Sequence, residues 1–254
     1  MKSSNPFAFD GPVEIVAHRG YSAKAPENTL IAMELAIDAG ADAVEFDLHM
    51  ASDGTPMLFH DKTLPRTTNG EGAVSARRPS ELAELDAGSW FDAAFSGERI
   101  PTFAATLQQI GGRVGRIYAE VKGYGCPEEL GGIVGIVADA GLADRTVFIS
   151  MDWEALDRIR TTDPEALVGY IVETSSRASE GIERAAGDPR ALLDFNAVVL
   201  LEDPSLAERS LSAGIRLATW TVDTVEQAEA LLALGVPRLT TNEVGTLRAW
   251  KEQL

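Results

Sequence analysis

Asn28-Thr-Leu-Ile-Ala-Met-Glu-Leu-Ala-Ile-Asp-Ala-Gly40 runs, after two residues, into Ala43-Val-Glu-Phe-Asp-Leu48. The first segment carries apolar residues at helical spacing and ends on a glycine suited to a C-cap. The second is an apolar run with β-branched and aromatic residues, short enough for a strand. Helix, glycine, short loop, apolar strand is the repeating unit of a parallel β/α protein. The same rhythm recurs along the chain. Strand-like runs fall at Glu14–Ala17, Ala43–Leu48, Arg116–Val121, Thr146–Ser150, Ala166–Val172, Asn196–Leu201, Arg216–Thr221 and Pro237–Thr240. Helix-like segments fall at Glu128–Ala140, Trp153–Arg160, Pro204–Gly214 and Thr224–Leu234. Eight such strands predict a closed α/β (β/α)8 barrel, the TIM barrel, rather than an open doubly wound sheet.

Two interruptions break the rhythm. Asp53-Gly54 is a tight-turn pair between Glu45–Met50 and Pro56–His60, and predicts a hairpin that extends strand two past the rim and returns. Residues 62–99 then hold no barrel strand. They carry a polar turn cluster, Thr67–Gly72, a short helix candidate at Ser80-Glu-Leu-Ala-Glu84, and apolar mass in Leu82, Leu85, Trp90, Phe91 and Phe95. A small insertion after strand two, within one domain over 1–254, is therefore expected.

The strands contain charges where apolar residues are the rule. Carboxylates and arginines are rarely buried without a partner or a task. His18-Arg19-Gly20, Glu45-Phe-Asp47 with His60-Asp61, and Glu120-Val-Lys122 each place such groups in or at the end of an apolar run. Side chains alternate along a strand, so Glu45, Asp47 and His49 share one face, and Glu120 and Lys122 share another. Paired carboxylates near the end of a barrel strand suit a hard divalent cation, Mg2+ or Ca2+. The plainer alternative is a polar solvent face, but it weakens when two such strands meet around one rim. His18 and His60 end strands and suit an acid/base pair. Arg19 and Lys122 suit phosphate oxygens. His49 is left at the rim and Asp61 without a role. Pro26-Glu-Asn-Thr29 reads equally as a helix cap or as part of the site.

Composition sets outer limits. With 22 Lys plus Arg against 39 Asp plus Glu, the net charge is −17. That argues against nonspecific binding to nucleic acid or anionic membrane and asks for a local positive cluster around a small anionic substrate. The single cysteine, Cys126, excludes an intramolecular disulfide and a zinc pattern. No apolar stretch is long enough to span a bilayer, and residues 1–12 contain no secretory core, so no stable membrane insertion and a cytoplasmic location are the expectation. The oligomeric state is not legible, and a homodimer stays open.

Taken in order, His18-Arg-Gly20, Pro26-Glu-Asn-Thr29, Glu45-x-Asp47, Asp53-Gly54, His60-Asp61 and Glu120-x-Lys122 resemble the successive motifs of the glycerophosphodiester phosphodiesterases. Leu64–Gly72 with Leu85–Phe91 resembles that family's insertion, and Arg99–Phe103 and Trp220-Thr-Val222 are also similar to it. The resemblance covers nearly the whole chain. It implies a metal-dependent hydrolase of lipid and glycerol metabolism that releases sn-glycerol 3-phosphate and an alcohol from substrates such as glycerophosphocholine or glycerophosphoethanolamine. It implies Glu45, Asp47 and Glu120 as metal ligands, His18 and His60 as the acid/base pair, and Arg19 and Lys122 on phosphate. It also implies Trp220 facing the glycerol carbons and Glu27 at the edge of the site. Two departures stand out. Asn242 occupies a position where the family often has aspartate, and Met151 one where an aromatic is common. Both bear on substrate shape. A lysophospholipase D type phosphodiesterase and a non-catalytic phosphodiester-binding protein are the competing readings; a sugar isomerase on the same fold fits the motif order badly.

Overall fold

The structure, a computed structural model, describes residues 5–254. Thr29 starts the first helix, Leu30–Asp38, by accepting a hydrogen bond from Ala32 N, and the chain turns at Gly40 with φ +82° before the next strand. Repetition of that unit gives β1 (Glu14–Ala17), β2 (Ala43–Met50), β3 (Pro56–Leu58), β4 (Arg116–Gly123) and β5 (Thr146–Ser150). After them come β6 (Leu167–Val172), β7 (Ala191–Asn196), β8 (Arg216–Trp220) and β9 (Arg238–Thr241). All but β3 are parallel and pair in the order β1, β2, β4, β5, β6, β7, β8, β9, and β9 pairs back onto β1. The sheet is a closed eight-stranded barrel with helices between strands, the expected TIM barrel.

β3 is the returning arm of the hairpin at Asp53-Gly54, antiparallel to β2 with Leu48 opposite Leu58. One strand expectation is corrected. The run Asn196–Leu201 is not a strand: β7 ends at Asn196, and Ala197–Glu202 is a short helix. Asn196 Oδ1 accepts from Val198 N at 2.9 Å, so a local N-cap overrides the β-branched composition of the run. Helices at Phe103–Ile110, Ala178–Ala185 and Val244–Lys251, absent from the expected set, complete the repeat.

Two apolar layers hold the barrel. Inward residues, among them Val16, Tyr118, Val147, Ile149, Leu167, Ile171 and Leu192, form one cluster with Phe7. Outward residues such as Ile15, Val44, Phe46 and Leu48 pack with the surrounding helices in a second. The end of the barrel where the strands begin is plugged. Glu14 accepts from Arg116 Nε at 3.0 Å and Tyr118 Oη at 2.9 Å, and lies 3.1 Å from Arg238 Nε. Arg116 and Arg238 also donate to the carbonyls of Pro6, Ala8 and Phe7. Among the described residues the barrel is therefore closed at this end and opens at the strands' C-terminal ends.

The segment between β3 and Phe103 covers part of that rim. Leu64, Val74, Leu82, Ala87 and Ile100 bury against Met57 and Phe59 in a cluster of their own. Trp90, Phe91 and Phe95 do not join it. They stack edge to face, with centroids 5.7 and 5.6 Å apart, and Trp90 is exposed.

Candidate active site

A cavity of about 390 Å³ opens at the C-terminal ends of the strands, lined by His18, Arg19, Glu45, His60, Glu120, Lys122 and Trp220 among others. Register explains the gathering. β2 and β4 are neighbours, with Asp47 opposite Glu120, so the two charged faces read from the sequence meet side by side. One carboxylate oxygen from each of Glu45, Asp47 and Glu120 lies within 4.8 Å of the others, and all three residues are buried.

The loop after β1 depends on unusual backbone. Arg19 has φ +55°, and its N–H donates to Glu45 Oε2 at 2.9 Å. Gly20 follows at φ +80°, where a Cβ would stand 2.6 Å from the Ala32 carbonyl carbon, so only glycine fits. Asn28 takes φ +60° and brackets Asp47, donating from Nδ2 to Oδ2 at 2.8 Å and accepting from Asp47 N at 3.1 Å. The Pro26–Thr29 motif thus does both things weighed for it: Thr29 caps the helix and Asn28 holds a site carboxylate.

Charge is concentrated and only partly answered. Lys122 Nζ lies 2.7 Å from Glu120 Oε1 and 3.4 Å from Asp47 Oδ1, and Arg19 Nε lies 3.2 Å from Asp47 Oδ2. Burial alone would raise the Asp47 pKa, but Lys122 and Arg19 outweigh it and hold the carboxyl at about 2. Glu120 is pushed up to about 7 by burial and by Asp47, and Glu45 rises for the same two reasons with Glu120 adding. Glu45 Oε1 is buried without a hydrogen-bond partner among the described residues, and the buried Glu120 Oε1 and Asp47 Oδ1 are met by the Lys122 ammonium. Three buried carboxylates converging within 4.8 Å, more negative charge than the adjacent cations cover by hydrogen bonding, are the donor set a hard divalent cation requires, and they fit Mg2+ or Ca2+ chemistry.

Each histidine is held by a different partner. His18 Nδ1 donates to Asn242 Oδ1 at 2.8 Å, and Asp223 fixes Asn242 by accepting from its N and Nδ2, each at 2.8 Å. The pKa of His18 is lowered to about 4 by burial and by Arg19. His60 Nδ1 lies 2.6 Å from Asp61 Oδ1. Arg66, from the insertion, donates to both Asp61 oxygens, at 2.6 and 3.0 Å, and to both Glu27 oxygens, at 2.9 and 2.7 Å. Glu27 Oε1 in turn accepts from Arg19 Nη1 at 2.9 Å. His49 is buried with Nε2 3.0 Å from the His60 carbonyl, so it props the hairpin end. Trp220 lies on the cavity wall with Nε1 3.4 Å from the Asp194 carbonyl.

All eight site residues expected from the sequence line or adjoin this cavity. Sequence reasoning passed over Arg66, whose partners lie 5 and 39 residues away, and Asp194, an inward residue of β7. The misplaced strand Asn196–Leu201 hid Asp194. Alternation of Leu192, Asp194 and Asn196 on one face was the available signal.

Comparison with known proteins agrees with this geometry. The glycerophosphoryl diester phosphodiesterase family model matches residues 18–246. The chain is 31% identical over 242 residues to a glycerophosphodiester phosphodiesterase of Caldanaerobacter subterraneus subsp. tengcongensis, covering 92% of this chain and 95% of that one. Among solved structures, a glycerophosphodiester phosphodiesterase from Agrobacterium tumefaciens superposes with TM-score 0.80 at 28% identity, covering 93% of this chain and 99% of the other. A phosphodiesterase of Oleispira antarctica, in complex with the product sn-glycerol-3-phosphate, superposes with TM-score 0.83 at 27% identity, covering 95% and 97%.

Proposed function

The chain belongs to the glycerophosphoryl diester phosphodiesterase family, and on that premise we propose that it hydrolyses glycerophosphodiesters such as glycerophosphocholine and glycerophosphoethanolamine to sn-glycerol 3-phosphate and an alcohol. It is a phosphodiesterase by descent; the substrates and the roles of individual residues are our reading. We take residues 1–254 as one catalytic domain with the insertion at about 62–99. The observation that carries the reading is the set of three buried, converging carboxylates, Glu45, Asp47 and Glu120, beside Arg19 and Lys122 at one cavity with two histidines.

Glu45, Asp47 and Glu120 would hold the divalent cation, Mg2+ or Ca2+. When bound, such an ion supplies positive charge against the phosphoryl oxygens. Arg19 and Lys122 add fixed positive charge on the same oxygens, where negative charge grows in the transition state. His18 donates its Nδ1 proton to Asn242, which leaves Nε2 with a free lone pair. Its pKa of about 4 keeps it neutral near pH 7, so we assign it the proton-accepting role toward the nucleophile. His60 is oriented through Nδ1 by Asp61, leaving Nε2 to protonate the departing alcohol oxygen. The bound sn-glycerol-3-phosphate of the Oleispira relative supports a small phosphorylated polyol as the product held here.

The test is glycerol 3-phosphate release from glycerophosphocholine by purified His18→Ala and Glu45→Ala. Each variant is expected to lose a factor of about 10² to 10⁴ in kcat, with circular dichroism unchanged. Turnover near the wild-type rate in either folded variant would remove that residue from its role.

A further inference from the structure

Away from the carboxylate cluster, the cavity wall is apolar. Ile149, Met151, Ile171 and Trp220 line it; Glu173 and Lys62 stand at its exposed rim, and a buried ionisable group interrupts the apolar residues. That group is Asp194, 3% exposed in the middle of β7. Its register neighbours are Ile171 on β6 and Ala218 on β8, neither of which offers a side-chain hydrogen bond. Asp194 Oδ1 is buried with no hydrogen-bond partner among the described residues, while its carbonyl receives Trp220 Nε1. A buried polar atom left unpaired is costly, and folded proteins keep few of them without a purpose.

We propose that Asp194 is a specificity-determining residue whose carboxyl hydrogen-bonds a hydroxyl of the substrate's glycerol portion, while Trp220, Ile171 and Met151 cover the glycerol carbons. The proposal rests on the diesterase reading above and assigns the polyol end of that same site. Glycerol is the part shared by every substrate of that reaction, so a single buried group can be committed to it. The alcohol differs from one substrate to the next and needs the open rim. A site built to pair a hydroxyl also rejects ligands lacking one, because its own polar group is then left stranded. Burial, with Glu120 adding, pushes the Asp194 pKa up, and the unpartnered Oδ1 can accept from a hydroxyl whether or not the carboxyl carries a proton. An ammonium headgroup is the rival occupant, since a carboxylate beside an indole also suits a cation.

Calorimetric titration of the Mg2+-loaded protein separates these. The ligands are sn-glycerol 3-phosphate, inorganic phosphate and phosphocholine. The proteins are wild type, Asp194→Ala, Asp194→Leu and Asp194→Asn, with thermal unfolding as the check on folding. Wild type is expected to bind glycerol 3-phosphate more tightly than phosphate. Asp194→Ala and Asp194→Leu are expected to lose about tenfold in glycerol 3-phosphate affinity with phosphate unchanged. Asp194→Asn, which still donates and accepts, is expected to keep most of it. Undiminished glycerol 3-phosphate binding by Asp194→Ala overturns the assignment. So does an equal loss for phosphate, and a loss confined to phosphocholine moves Asp194 to the headgroup. A wild type that does not prefer glycerol 3-phosphate to phosphate contradicts the diesterase reading itself, whatever the variants do.

Discussion

At the scale of single residues, the site rests on pairings between groups distant in sequence. Asp61 joins His60 to Arg66, and hydrogen bonds from Arg66, against an opposing effect of burial, hold its pKa at about 2. The unfolded value is about 3.9. Because the folded pKa is the lower one, Asp61 stabilises the fold fully above that unfolded value and ceases to do so as pH falls through about 2. Asp61→Asn is therefore expected to melt below wild type at pH 6, with the gap closing as the pH is lowered from 4 toward 2. A gap that stays constant across that range, by thermal unfolding, would show that the carboxylate charge is not what holds the link. The contrast with the metal-ligand candidates is instructive. Glu45, Asp47, Glu120, His18 and His60 were legible because each breaks an apolar strand pattern, and alternation says which of them share a face. Arg66 and Glu27 break no pattern. They sit in polar turns, where charge is ordinary, and only the fold brings them together.

Elements were legible where one period dominated. The capped helix Leu30–Asp38 and the buried strand β2 follow directly from spacing. β7 was misplaced because Ala197–Glu202 is as β-branched and apolar as the strand before it, and the deciding interaction is a single cap by Asn196. Of the residues expected to give the insertion its apolar mass, Leu82 is fully buried and Leu85 packs beside it, Trp90 is exposed, and Leu64 is fully buried with them. Leu64→Ala is accordingly expected to lower stability by about 2–5 kcal/mol in urea unfolding. Because Leu64 lies two residues from Arg66, kcat should fall as well. A variant as stable and as active as wild type would mean that this cluster does not anchor the insertion.

The whole molecule separates stability from chemistry along the barrel axis. At the closed end, Glu14 balances Arg116 and Arg238, which are 5% and 4% exposed. Glu14→Gln leaves two buried cations without a counter-charge and is expected to cost about 3–5 kcal/mol, measured by urea unfolding, while the folded fraction keeps its specific activity. At the open end, converging carboxylates and local cations sit within a chain of net charge −17, an arrangement suited to holding a metal ion and an anionic substrate together. Among the described residues no helix is long and apolar enough to cross a membrane. The central claim is that Glu45, Asp47 and Glu120 hold a divalent cation for diester hydrolysis. It is tested most directly by following sn-glycerol 3-phosphate released from glycerophosphocholine before and after chelation with EDTA. Release is expected to stop on chelation and to return when excess Mg2+ or Ca2+ is restored; hydrolysis that continues undiminished in EDTA would contradict it.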